Sequence, residues 1–289
     1  MTIVYALLAA LCNALNVITQ HKASINSPER GAGWRFVGYL LRNPLWLAGW
    51  VALAGAFIFQ ALALSSGQLS VVQPLLVTEL VFALALRRAW LRQSIRPVTW
   101  WAAAATCMAL GAFLLTAEPQ GGHPMPDSRA WVTVSAATVG AAAVLALAGT
   151  RGAPARRAAL LATASAILWA LVATFIKTTT ETLSQFGVAG MFTHWPLYAL
   201  AAAGLAAELL QQATLHVGPL SVSQPLLVIV DPIVSIWLSV LIFGEYFTAD
   251  GRQLAVGSLA FAVLCVAVVV LTRTAPATMS AQPATQAAS

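Results

Sequence analysis

The sequence predicts an all-α polytopic membrane protein of about nine transmembrane helices, built as two inverted-topology repeats, spans 1–4 and 6–9, joined by span 5. Three observations carry this. The 289 residues are 60% apolar and 8% charged, whereas a soluble domain carries about 25% charged residues. Apolar runs of about 20 residues, enough to cross the hydrocarbon core of a bilayer, recur along the chain. Finally, Gly67-Gln68-Leu69-Ser70-Val71-Val72-Gln73-Pro74-Leu75-Leu76-Val77 returns 151 residues later as Gly218-Pro219-Leu220-Ser221-Val222-Ser223-Gln224-Pro225-Leu226-Leu227-Val228, with nine of eleven positions identical.

The predicted spans cover residues 2–20, 44–64, 68–87, 97–117, 130–149, 157–177, 195–214, 219–243 and 252–272. The first lacks the basic n-region of a signal peptide, so it is expected to be a span. Its Ala6-Leu7-Leu8-Ala9 is echoed by Ala159-Leu160-Leu161-Ala162 in the sixth. Asn43-Pro44-Leu45-Trp46 opens the second span, and Trp195-Pro196-Leu197-Tyr198 opens the seventh. The repeated stretch opens spans three and eight. Ala102-Ala103-Ala104-Ala105 and Ala136-Ala137 give spans four and five small surfaces for close packing. Trp46, Trp50, Trp100, Trp101 and Trp131 fall near span ends and read as interfacial anchors. The Pro/Gly-rich linker 118–129 is expected to be mobile. Segments near 31–42 and 182–193 read as either re-entrant or interfacial helices. The domains follow: 1–117 as first repeat, 118–156 as linker with connecting span, 157–273 as second repeat and 274–289 as a disordered cytoplasmic tail.

The net charge of +6 and pI near 9.8 would raise nucleic-acid binding in a soluble protein. Here the basic residues lie between apolar runs, and topology accounts for them. Lys22, Arg30, Arg35, Arg42, Arg87, Arg88, Arg92, Arg96, Arg151, Arg156, Arg157 and Arg273 fall on one side; Arg129, Lys177 and Arg252 fall on the other. Twelve against three makes the first side cytoplasmic, with the N-terminus outside, in a bacterial inner membrane. Equivalent spans lie five apart, an odd number, so the two halves are inverted, an arrangement found in many transporters. Cys12, Cys107 and Cys265 show no metal-ligand spacing and read as packing residues. No enzyme is expected: G-x-S-x-G, H-E-x-x-H and a phosphate-binding glycine loop are all missing from the sequence.

Acidic residues within spans are costly in lipid and tend to face the interior and work on ions or substrate. Glu79, Asp231 and Glu208 lie in spans three, eight and seven. At an offset of 151, Glu79 falls opposite Val230, so each half carries one carboxylate at nearly the same depth. Such a pair can bind a cation or relay protons, or can be held neutral by hydrogen bonds for packing. If a metal ion binds, Asp231 and Glu79 are its ligands. Pro232 denies the Val228 carbonyl its usual partner, and Pro74 and Pro225 would do the same to Ser70 and Ser221, so all three prolines are helix-break candidates. Gln224 lies two turns before Asp231 on one face, and Gln73 lies six residues before Glu79. Glu208, Gln211 and Gln212 cluster on span seven, with Gln60 as counterpart on span two; Asn13 and Asn16 lie on one side of span one, with Gln20 a turn further. These amides either line a cavity or bond between helices. Lys22 and Lys177 end spans one and six, and either gate an anion or reach to the interface, the latter being the simpler reading.

The pattern G-x-L-S-V-x-Q-P-L-L-V, the Val230-Asp231-Pro232 and the closing Leu241-Ile242-Phe243-Gly244-Glu245 resemble the drug/metabolite transporter superfamily. The Gly-Glu after an apolar helix is similar to its EamA-type repeats. The nine-span layout with an external N-terminus is more like the branch containing NIPA-type magnesium transporters, and most like actinobacterial relatives of that branch. The resemblance covers about residues 1–273. It departs in the first half, where Gln93-Ser94 stand opposite Gly244-Glu245 and the preceding helix ends in Arg87-Arg88. It implies a secondary transporter of a small solute, with no cofactor beyond a coupling proton or cation. The other readings are a magnesium-type cation transporter using the same carboxylates and a non-transporting membrane scaffold. Expected partners are the lipid bilayer and a small-molecule or cation substrate, with no nucleic acid.

Overall fold

The computed structural model describes residues 1–25, 42–92, 94–117, 119–122, 128–217, 220–248 and 250–274. The predicted tail over 275–289 and the segment 31–41 lie outside them. In chain order the elements are α1 (Thr2–Ile25), α2 (Pro44–Ser66), α3 (Leu69–Leu76), α4 (Glu79–Trp90), α5 (Pro97–Ala117), β1 (Pro119–Gly121), α6 (Ser128–Ala148), α7 (Pro154–Thr193), α8 (Trp195–Val217), α9 (Leu220–Phe243), β2 (Glu245–Phe247) and α10 (Gly251–Thr274). The chain is thus a helical membrane protein. Among the described residues, eight segments are long and apolar enough to cross a bilayer, counting α3 and α4 as one. The remaining predicted span, over 195–214, forms the 23-residue α8, which is less apolar because Glu208, Gln211 and Gln212 interrupt it.

Local chemistry sets several boundaries. Asn43 caps α2 by accepting a hydrogen bond from the Leu45 N–H at 2.9 Å, with Pro44 in the first turn, where its missing N–H costs nothing. Asp250 and Gln253 form a reciprocal capping box at the start of α10, with distances of 2.7 and 3.0 Å. α7 is 40 residues long, about 60 Å at 1.5 Å per residue, so it outruns a bilayer core of about 30 Å. Helix runs on through the first part of the segment 182–193 and breaks at Gly187, whose φ of 68° and ψ of −174° are non-helical, so a second short helix follows the kink.

The third span is broken, and the break lies past Pro74. Val77 N–H bonds Pro74 O and Thr78 N–H bonds Leu75 O, at 3.2 and 3.1 Å, so the chain tightens to three-residue steps. Thr78 Oγ1 also bonds Leu75 O at 2.7 Å. Glu79 then starts α4, where a carboxylate is favoured by the helix dipole. In α9 the expectation fails: one helix runs through both Pro225 and Pro232. Neighbouring helices enclose both prolines, and packing of this kind tolerates a missing bond inside a transmembrane helix.

The two halves pack alike. α1 lies along α2 and against α3 and α4, as α7 lies along α8 and against α9. Across the halves, α5 lies along α10 and α3 contacts α9. Small side chains make the close approaches: Ala6, Ala9 and Ala10 of α1 and Ala63 of α2 are buried.

One end of the bundle is closed by polar and aromatic contacts. α9 ends at Gly244, whose φ of 65° suits a residue without Cβ, and the turn sends Glu245 back into the protein. Glu245 is 1% exposed. Its Oε1 accepts from the Leu69 N–H at 2.9 Å and from Lys177 Nζ at 2.8 Å. Its Oε2 accepts from the Ser70 N–H at 3.3 Å and from Ser70 Oγ at 2.7 Å. Lys177 also lies over the Phe243 ring, 4.5 Å from its centroid. Lys177 therefore does not reach to the interface as expected; a buried carboxylate holds it. The linker expected to be mobile contributes β1, which pairs antiparallel with β2, Gln120 opposite Tyr246. Gly121, at φ 72°, admits the Tyr246 ring where a Cβ would come within 2.5 Å of it.

Beside this cluster, Trp131 stacks on Phe175 at 5.3 Å and meets Trp195 and Phe243 edge-on at 5.3 and 6.1 Å. Trp131 is 5% exposed, so it is a core residue and not an interfacial anchor. Trp50, Trp100 and Trp101 are exposed, in keeping with the anchor reading. Arg87, counted with the loop charges, is 0% exposed within α4, while Arg88 next to it is exposed. Cys107, expected to pack, is exposed on α5.

Two outcomes follow. Trp131→Ala removes the centre of the aromatic cluster and should cost about 3–5 kcal/mol, whereas Trp101→Ala, at a position 75% exposed, should leave the melting temperature in detergent nearly unchanged. Burial alone would raise the Glu245 carboxyl, but the Lys177 ammonium, Ser70 and the Leu69 N–H together hold it below its ordinary value of 4.5. A carboxyl depressed in the folded state stabilises the fold above its ordinary value, and that contribution is lost as pH falls through the folded value. The melting-temperature advantage of wild type over Glu245→Gln should therefore be full at pH 7 and shrink below about pH 4.5. Lys177→Met, which strands the buried carboxylate, should cost about 3–5 kcal/mol at pH 7.

Candidate functional site

The residues singled out in the sequence fall into two polar centres. The first joins the halves. Glu79, at the break between α3 and α4, lies beside the Asn13 side chain of α1, whose amide favours its charged form. Asp231, in the middle of α9, accepts from Ser235 Oγ at 3.1 Å, one turn further along the helix. Glu79 is near enough for its charge to act on Asp231. α3, which ends three residues before Glu79, contacts α9. The third and eighth spans thus place Glu79 and Asp231 within electrostatic reach of each other.

Glu79, Asp231, Asn13 and Gln224 are each only partly buried, although their helices are otherwise apolar. The pair therefore keeps accessible surface. Gln73, one turn before the break, is buried at 2% exposure, together with Pro74. Pro225 and Pro232 are buried as well. Pro232 follows Asp231 directly and leaves the Val228 carbonyl without a helical N–H, which adds a second oxygen type close to the acid in sequence.

The second centre lies between α7 and α8. Trp169 Nε1–H donates to Gln211 Oε1 at 2.7 Å, and Gln212 Nε2–H donates to Glu208 Oε1 at 2.6 Å. Ser165 Oγ–H donates to the Ala207 carbonyl at 3.0 Å on the same interface. Gln211 is therefore an interhelical linker, and Glu208 is bridged along its own helix. On α1, Gln20 Nε2–H donates to Asn16 Oδ1 at 2.6 Å, so Asn16 is satisfied within its helix while Asn13 turns to Glu79. Gln60 is half-buried on α2.

The arrangement can do limited chemistry. Two carboxyls, an amide and a hydroxyl can hold a proton or a cation. Among the described residues no group of three His, Cys, Asp or Glu side chains comes together, so a divalent ion at Asp231 and Glu79 would retain much of its water. A surface hollow lined by Leu147, Ala148, Thr150, Arg151 and Arg156 lies around the start of α7, apart from the acids.

Sequence reasoning missed Ser235 and Trp169, and it read Glu245 only as part of the resemblance, without its partners. The signals were present: Ser235 is one turn from Asp231, and Glu245 ends a span on the same side as Lys177. Arg87 was misread for want of a pattern separating it from Arg88.

An uncharacterized protein of Corynebacterium glutamicum is 28% identical to this chain over 277 residues, covering 95% of each. No family model matches the chain. No solved structure matches it.

Proposed function

We propose that the protein is a secondary transporter of a small solute, driven by protons or a cation that bind at Asp231 and Glu79. The observation that carries this reading is the meeting of one carboxylate from each signature helix inside an apolar bundle. A lone scaffold has no use for two acids whose charges oppose each other there. The break before Glu79 adds support. Discontinuous transmembrane helices place helix ends and unpaired carbonyls at the sites of many secondary transporters. The repeated helix-pair pattern supports two related halves of opposite orientation, with the N-terminus outside, rocking about the acid pair.

In this scheme a proton or cation on the pair removes the repulsion between Asp231 and Glu79 and lets α3 and α9 close on each other. Without it the carboxylates separate, and the halves take the alternate arrangement. Asn13 and Ser235 orient the two acids; Gln224 and Gln73 stand on the approach. The kinship to drug/metabolite transporters fits this assignment. A magnesium-type reading uses the same pair, with Mg²⁺ retaining its inner waters.

The test is a thermal-shift screen of the detergent-purified chain against Mg²⁺, other divalent ions and a panel of small metabolites. A ligand at a hundredfold excess over its dissociation constant stabilises by about 2.7 kcal/mol. A shift given by metabolites and lost in Asp231→Asn is the expected result. A shift given by Mg²⁺ alone and lost in the same variant selects the cation reading. No shift from any compound, with the same pH dependence of melting in wild type and Asp231→Asn, would count against a transport site at this pair.

A further inference from the structure

We propose that the Glu245 cluster is a one-sided gate between the two halves. The idea rests on the transporter reading above and concerns how its site is closed. Glu245, Lys177 and the aromatic group of Trp131, Phe175, Trp195 and Phe243 belong to α6 through β2 and hold one another. The partner across the seam is the start of α3, through the Leu69 N–H, the Ser70 N–H and Ser70 Oγ. Parting the halves at this end must break those three bonds. The β1–β2 pairing crosses the same seam and tethers it.

The chemistry suits a releasable contact. A buried ion pair contributes little net stability because each charge recovers its hydration when exposed. It specifies one closed geometry without making that geometry permanent. The same contact formed by apolar packing would hold only by keeping water out.

The opposite end is not built this way. At the repeat offset of 151, Leu69 and Ser70 correspond to Leu220 and Ser221, so the receiving motif is kept. Glu245 corresponds to Ser94, so the acid is not. Ser94 is exposed. Lys22, which ends α1 as Lys177 ends the predicted sixth span, lies over the Trp90 ring at 4.6 Å. A neutral residue thus stands where the second lock would be. The asymmetry makes closure at the Glu245 end the resting state and leaves the opening of that end to the ligand.

The experiment reads water access to the seam. Cys12, Cys107 and Cys265 are replaced in the full chain, and Val72→Cys, buried one turn past Leu69, is the reporter. The protein in nanodiscs is treated with a water-soluble maleimide. Glu245→Gln should speed labelling about tenfold, a modest shift in a two-state equilibrium. Ser70→Ala, which removes one bond only, should speed it less. Glu245→Gln with Lys177→Met removes both charges and should bring the rate back toward the parent. A second reporter, Ala164→Cys, buried nearer the start of α7, should not respond. Unchanged labelling of Val72→Cys in variants that keep monodisperse elution would overturn the gate. So would an equal rise at both reporters, which would mean general loosening. Labelling does not depend on transport: a failed ligand screen with a selective rise at Val72→Cys would sink the transporter reading and leave the gating contact standing.

Discussion

A carboxylate cannot be buried without partners, and Glu245 meets that constraint by drawing three parts of the chain to one point. It needs the N–H groups at the start of α3, a hydroxyl, an ammonium and a glycine turn to bring it there. Each comes from a different place: Leu69 and Ser70 from the first half, Lys177 from α7, Gly244 from the end of α9. Removing any one leaves a charge or polar group stranded in low dielectric, a larger loss than the net worth of the pair. The aromatic group beside it excludes water and strengthens the electrostatics inside. The fold at this end is therefore specified by polar satisfaction more than by apolar area, which lipid-facing helices have in excess.

The interior acids obey the opposite logic. Glu79 and Asp231 are not paired with cations among the described residues; Asp231 lies within reach of the Glu79 charge, and Asn13 and Ser235 stand beside the two acids. Such an arrangement is costly in an apolar bundle and persists where it has a use. The broken third span lowers part of the cost, since a helix start favours the charge of Glu79. One end is locked by a matched pair, while the centre holds an unmatched one. That contrast is the physical basis for assigning structure to the first and ligand binding to the second.

How much of this was legible in the sequence follows from what each signal encodes. Apolar run length gave the helices, because crossing a bilayer fixes length. The repeat set Glu79 and Asp231 at nearly equal depth in corresponding spans, and the structure puts Asp231 within reach of the Glu79 charge. The helix break was misplaced: proline removes one hydrogen bond, and whether the helix yields depends on neighbours, which kept α9 whole and let the third span turn at Val77 and Thr78. Trp131 and Arg87 were misjudged because burial at a span end depends on what packs there, and a residue's distance along the chain does not report it. The linker looked mobile from its prolines and glycines, yet Gly121 is what lets β1 lie against Tyr246. Lys177 was read alone, and its partner sits 68 residues away.

The coupling of Asp231 to Glu79 is most directly measured by infrared difference spectroscopy of the protein in nanodiscs across a pH titration. The account predicts carboxyl bands from both residues, assigned by their loss in Asp231→Asn and Glu79→Gln, with the Glu79 band moving in position and midpoint when Asp231 is replaced. Two bands that titrate without regard to each other would show that the acids do not share a site, and the transport scheme built on them would fall with that result.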